Sequence, residues 1–134
     1  MLDAHSALIY IMVMSSAADR EMTDSELMTI GDIVRHLPAF RDYDPEKLPA
    51  TAAACAERLN ADDGLEAVLE DVKEALPPRL RETAYALACD IVAADDSASQ
   101  EELRMLEIIR HRLDISRLSA AAIEHGTRAR HQRV

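Results

Sequence analysis

One short pattern, written twice, constrains this chain more than any other feature. Ala-Ala-Asp leads into a short loop and then a Ser/Thr-x-x-Glu helix start, at 17–26 and again at 93–102. A shift of 76 residues lays 17–37 over 93–113. Identities fall at Ala17/Ala93, Ala18/Ala94, Asp19/Asp95, Glu26/Glu102, Leu27/Leu103, Ile33/Ile109 and Leu37/Leu113, and Thr23/Ser99 and Ile30/Leu106 match in kind. The matches fall on the parts of one device: helix end, acidic loop, N-cap, capping glutamate, apolar stripe. In a capping box the Ser/Thr side chain accepts from the amide three residues on, and the Glu reaches back to the cap amide. Two copies are too few for a solenoid, which needs three or more to bury a continuous core. The repeat therefore predicts a compact all-α bundle built from two related helical halves, about 5–38 and 80–113, with an internal pseudo-two-fold.

Composition agrees with helix-on-helix packing. Of the 134 residues 49% are hydrophobic but only 3% aromatic, with no Trp and one Phe. Ala, Leu, Ile, Val and Met must fill the core, whereas sheets favour β-branched and aromatic residues. Three glycines leave little room for tight hairpins. A single domain over 1–134 is expected, large enough to bury a core without disulfides or a structural metal.

Helical periodicity places seven helices. The first covers 5–18, with Leu8, Ile11, Met12 and Ser15 on one face. The second starts after Thr23 and carries Leu27, Ile30, Ile33, Val34 and Leu37 up to Pro38, after which 40–45 connects. Helices follow at about 50–60 and 65–76, then a break at Pro77-Pro78, and a fifth, Ala-rich helix at about 80–94. Ser99 starts the sixth, and Ser116 or Ser119 the seventh. The Arg- and His-rich tail 126–134 is expected to fray.

The segments 7–37 (ALIYIMVMSSAADREMTDSELMTIGDIVRHL) and 81–113 (RETAYALACDIVAADDSASQEELRMLEIIRHRL) resemble the signature of the TerB-like tellurite-resistance family, and LPPRLR at 76–81 resembles the linker of its bacterial members. The resemblance covers about 5–125. It implies a bundle of about seven helices, a role in tellurite resistance or a related stress response, and an acidic site near the paired loops that takes a metal or a partner. Family members often carry Gly directly after the loop Asp. Here Arg20 and Asp96 stand in those places, so the two half-sites would be unequal.

A pseudo-two-fold would turn the loops at Asp19 and Asp95 toward each other, flanked by Glu26 and Glu102. Four carboxylates on one patch need a cation, protonation or solvent to offset their repulsion. Hard oxygen ligands favour Ca²⁺, Mg²⁺ or Mn²⁺ over Zn²⁺. The expected metal site is thus Asp19, Glu26, Asp95 and Glu102. The same residues also have a purely structural reading, with the two Glu completing capping boxes and the two Asp bonding nearby amides. An EF-hand is excluded, because the twelfth position from Asp95 is Leu106 and the sixth is not Gly.

No catalytic constellation stands out, and no enzyme activity is expected. The five histidines show no HExxH spacing; His36 and His111 fall in last helical turns, where the dipole favours them. Met12, Met14, Met22 and Met28 read as core filler. Asp90, on or near an apolar face of the fifth helix, reads as a fifth ligand or, more commonly for such a residue, as the partner of an arginine or as solvent-facing. Cys55 and Cys89 lie in apolar stretches without CxxC spacing and read as small buried hydrophobes. The run 7–14 is too short to span a membrane and follows Asp3 rather than a basic stretch, so neither membrane insertion nor a signal peptide is expected, and the location is read as cytoplasmic.

The net charge of −10 disfavours nucleic acid as a partner. The charge is uneven: residues 1–103 hold 22 acids and 8 Lys+Arg, and residues 104–134 hold 3 acids and 7 Arg, nets of −14 and +4. Such a molecule attracts divalent cations, basic partners, or copies of itself head to tail. The sequence thus points to a stress-response module that binds a divalent cation or a protein partner through its acidic loops. The alternative is a metal-free interaction scaffold that uses helix grooves or the basic tail.

Overall fold

The computed structural model describes residues 1–17, 21–94 and 98–134. Among them are seven α-helices and no strand: α1 Ala4–Ser16, α2 Asp24–His36, α3 Leu48–Leu59, α4 Gly64–Ala75, α5 Pro78–Ala94, α6 Gln100–Arg112 and α7 Arg117–Arg130. Short 3-10 turns at Pro38–Phe40 and Pro45–Lys47 join α2 to α3. None of the described helices is long and apolar enough to cross a membrane.

The bundle is organised around α1. Every residue from Ala7 to Ser16 is buried, so this helix has no solvent face. A helix that is hydrophobic all round belongs inside a domain, and α1 touches α2, α3, α4, α5 and α6. Reading one apolar stripe at Leu8, Ile11 and Met12 therefore understated it: Ile9, Tyr10 and Val13 are buried as well. Burying each large aliphatic side chain contributes about 1.5–3 kcal/mol, so α1 carries a large share of the stabilisation. Asp3 caps it, accepting from the Ser6 amide at 2.8 Å.

α1 packs most extensively on α5. Ala84 and Ala88 on α5 and Ala7 on α1 are fully buried, and interaxial distance shrinks with the side chains at the contact. α5 begins on Pro78 rather than on Leu80. Proline suits a first helical position because the amide it lacks would have no helical partner. Arg81 then turns back: its Nε donates to the Leu76 carbonyl at 2.9 Å and its Nη2 to that of Lys73 at 3.0 Å. One guanidinium thus closes the C-terminus of α4, which gives the LPPRLR linker its structural role.

Two further expectations are corrected. Residues 126–130 do not fray: α7 continues through Gly126 to Arg130. Thr127 is buried, its hydroxyl donates to the Ile123 carbonyl at 3.0 Å, and Arg130 pairs with Asp90 on α5 at 2.7 Å. Met12 and Met14 are core residues, but Met28 is 71% exposed, because α2 turns Ile30 and Val34 inward and Met28 lies on the opposite face.

Candidate functional site: two helix junctions and two grooves

Both predicted capping boxes are formed. Glu26 Oε1 accepts from the Thr23 amide at 2.8 Å, and Thr23 Oγ1 accepts from the Glu26 amide at 3.2 Å. Glu102 Oε1 accepts from the Ser99 amide at 2.8 Å, and Ser99 Oγ accepts from the Glu102 amide at 3.1 Å. α2 and α6 each run 13 residues from these caps. Their C-termini differ. α2 runs into an extended Leu37. α6 closes on Asp114 at φ 55°, with the Ile115 amide bonded to the Arg110 carbonyl and the Asp114 amide to that of His111. This is the Schellman arrangement, in which Gly is usual. Lys73 lies 2.7 Å from the Asp114 carboxylate and holds its pKa below the ordinary value.

Of the four residues read as a metal site, Glu26 and Glu102 are thus placed, each with one oxygen engaged at an N-cap. Asp19 and Asp95 lie outside the described residues, as do Arg20 and Asp96. Among the described residues no group of three or more His, Cys, Asp or Glu could hold a metal ion. Two of the five histidines serve helix ends: His36 Nδ1 lies 2.8 Å from the Asp32 carbonyl, and His131 Nδ1 2.9 Å from that of Thr127. Beside the first loop, Ser15 donates to the Ile11 carbonyl at 2.8 Å, whereas the buried Ser16 Oγ has no hydrogen-bond partner among the described residues. An unsatisfied buried hydroxyl costs about 1–3 kcal/mol.

Two apolar grooves open beside these junctions. The first, about 480 Å³, lies between the α1–α2 junction and α3. The second, about 810 Å³, lies between the α5–α6 junction and α7. Their linings correspond. On the junction side Val13, Ala17, Met22 and Leu27 answer to Cys89, Ala93, Ala98 and Leu103, at the spacing of 76 already seen. On the other wall Ala52, Ala53 and Asn60 of α3 answer to Ala120, Ala121 and Arg128 of α7, now at a spacing of 68. Pro49, Ala56 and Leu59 answer to Arg117, Glu124 and Thr127 at that same spacing. Glu21 completes the first groove, and its counterpart, Ser97, lies outside the described residues.

The two grooves differ in chemistry. Ala56 and Leu59 in the first are replaced by Glu124 and Thr127 in the second, where Tyr85 also donates its hydroxyl to Glu124 Oε2 at 2.6 Å. Burial, and then this bond, push the Tyr85 phenol well above its ordinary pKa. Burial also lifts the Cys89 thiol to about 11 and the Cys55 thiol to about 12. Both cysteines are therefore neutral near pH 7, unlike a nucleophilic or metal-binding thiolate, as expected of buried hydrophobes.

This arrangement of helices has a family. Residues 5–125 match the family model described as tellurite resistance protein TerB. The chain belongs to the TerB family. The TerB match begins in α1 and ends within α7, so both capping boxes and the first groove fall inside it, as does the second groove except for Thr127 and Arg128. No curated protein and no solved structure matches the chain. A tellurite-resistance-like module is thus the setting for these two junctions. The capping glutamates were legible in the sequence, but Tyr85, Arg117, Glu124 and Arg128 were not singled out. The signal that finds Arg117, Glu124 and Arg128 is the 68-residue spacing between α3 and α7; Tyr85 stands on α5, outside that spacing.

Proposed function

We propose that this TerB domain is a non-enzymatic stress-response module, made of two related three-helix units, whose paired acidic loops bind a divalent cation or a protein partner. The units are α1–α2–α3 and α5–α6–α7, with α4 outside the repeat. The observation that carries this reading is the correspondence of the groove linings. It supports extending the 76-residue repeat to a third helix in each unit, and with it the reading of the loops before Thr23 and Ser99 as counterparts. The capping boxes support it further, because each fixes a helix start directly after an acidic loop. An acidic body of net −14 over residues 1–103 favours a cationic ligand.

Thermal unfolding of the metal-stripped chain tests this, with Ca²⁺, Mg²⁺, Mn²⁺ or Zn²⁺ set against NaCl of matched ionic strength. A native-state ligand at about 100 times its Kd adds roughly 2.7 kcal/mol. The expected result is a rise with a hard divalent ion that the Asp19→Asn/Asp95→Asn double variant loses. A response that NaCl reproduces would leave the loops without a cation.

A second reading has its own observation. The second groove is larger than the first and carries polar groups where the first has apolar ones, which favours a metal-free scaffold that docks a protein through that groove.

A further inference from the structure

The first groove acts as an internal control for the second. If the units are related, the fold closes such a groove with Pro49 and Asn60, so Arg117 and Arg128 at the matching positions are not needed to build it, whereas Glu124 at the position of Ala56 partners the buried Tyr85. Something other than folding accounts for the two arginines. The charges around the second groove are also unevenly satisfied. Its acids are engaged: Glu124 accepts from Tyr85, and Glu107 lies 3.5 Å from Arg104. Nearby arginines outside the lining are engaged too, Arg112 with Glu66 and Arg130 with Asp90. Among the described residues Arg110, Arg117 and Arg128, which line the groove, have no carboxylate partner. They edge a floor that includes Val92, Leu106 and Ala120, beside a Leu103 that is 49% exposed.

We propose that the α5–α6–α7 groove docks an acidic amphipathic helix of a partner protein. Arg117 and Arg128 stand eleven residues apart on α7, about 16 Å at 1.5 Å per residue, or three helical turns. An open trough of that length suits a helix laid in a groove, with apolar anchors at i, i+3 and i+7. Carboxylates on the flanks of that helix meet the guanidinium groups, whose fork geometry matches them. The proposal rests on the scaffold reading and not on the cation.

The test is fluorescence polarisation of the full chain, in EDTA, with two labelled amphipathic peptides of about 16 residues. Both carry Leu at i, i+3 and i+7; one has Glu on its remaining positions and the other Lys. EDTA removes any cation, so failure here leaves the thermal test of the acidic loops untouched. The Glu peptide should bind about tenfold or more tightly than the Lys peptide and weaken as NaCl rises. Arg117→Ser/Arg128→Ser should cost about tenfold in affinity, whereas Asn60→Ala at the matching position of the first groove should cost nothing. Arg117 and Arg128 are exposed, so the double variant should unfold at the wild-type temperature, which circular dichroism checks. No binding of the Glu peptide, equal binding of both peptides, or indifference to the two arginines would overturn the proposal. So would arginine-dependent sedimentation with phosphatidylglycerol vesicles in the absence of peptide binding, which would make the groove a reader of anionic lipid.

Discussion

Cys55 shows how much a single side chain in this bundle depends on burial. It is fully buried, with Sγ 3.9 Å from the Tyr10 carbonyl, and desolvation of the thiolate lifts its pKa to about 12 from an ordinary 9.0. In the unfolded chain the thiol ionises near 9 while the folded chain keeps its proton. The stabilisation is complete below pH 9 and is lost as pH rises through about 12. Stability should fall across that window by up to about 1.4 kcal/mol per pH unit for one such thiol. Urea midpoints at pH 8, 9 and 10 measure the slope. Cys55→Ala should flatten it, and an unchanged slope would mean that the thiol ionises alike in both states. Tyr85, raised from an ordinary 10.0, should add a decline of its own above pH 10.

At the scale of elements, local signals were legible and tertiary ones were not. Thr23 with Glu26 and Ser99 with Glu102 announce α2 and α6, because a capping box closes within four residues and needs nothing from the rest of the chain. α1 was harder to read, since burial on every side is decided by the helices around it. The α3–α7 correspondence was hidden because the α2–α3 connection, 37–47, is longer than the α6–α7 connection, 113–116, and shifts the register from 76 to 68. Glu26 and Glu102 stand where the sequence puts them as capping residues, while Asp19 and Asp95, the other two residues read as ligands, lie outside the described residues. Element context also decides what a glycine does. At Gly64, the first residue of α4, an added Cβ would collide with the Arg58 carbonyl and lie 2.9 Å from Leu59 Cα, all of it backbone. At Gly126, inside α7, it would meet only the end of the Arg130 side chain, at 3.3 Å. Ala is favoured over Gly in a helix by about 1 kcal/mol. Gly126→Ala should therefore stabilise by roughly 0.5–1 kcal/mol, while Gly64→Ala should destabilise by about 1–3 kcal/mol because the α3–α4 turn must shift. Denaturant midpoints of the two variants decide the matter, and equal signs would contradict it.

At the scale of the whole molecule, the C-terminal segment is fixed by residues far away in sequence. The composition of 126–134 reads as a basic tail, and only the fold brings Asp90 of α5 to Arg130. Arg130 Nη2 also lies 3.5 Å from Thr127 Oγ1, so the last turn of α7 is tied to α5 and to itself. Thr127 is 5% exposed and lines the second groove. Deleting 127–134 removes that buried side chain and the ion pair, and leaves the Asp90 carboxylate without Arg130. Deleting only 131–134 removes exposed residues and the bond from His131 to Thr127, but keeps the buried Thr127 and the Arg130–Asp90 pair. The shorter deletion should leave the unfolding temperature within about 2 °C of the intact chain. The longer one should cost about 1–3 kcal/mol, the range for losing a buried group and its partners, or several degrees for a domain of this size. If both deletions leave the unfolding temperature unchanged, the end of α7 contributes nothing to the bundle. The α7 wall of the second groove would then have to be held by α7 upstream of Thr127 alone.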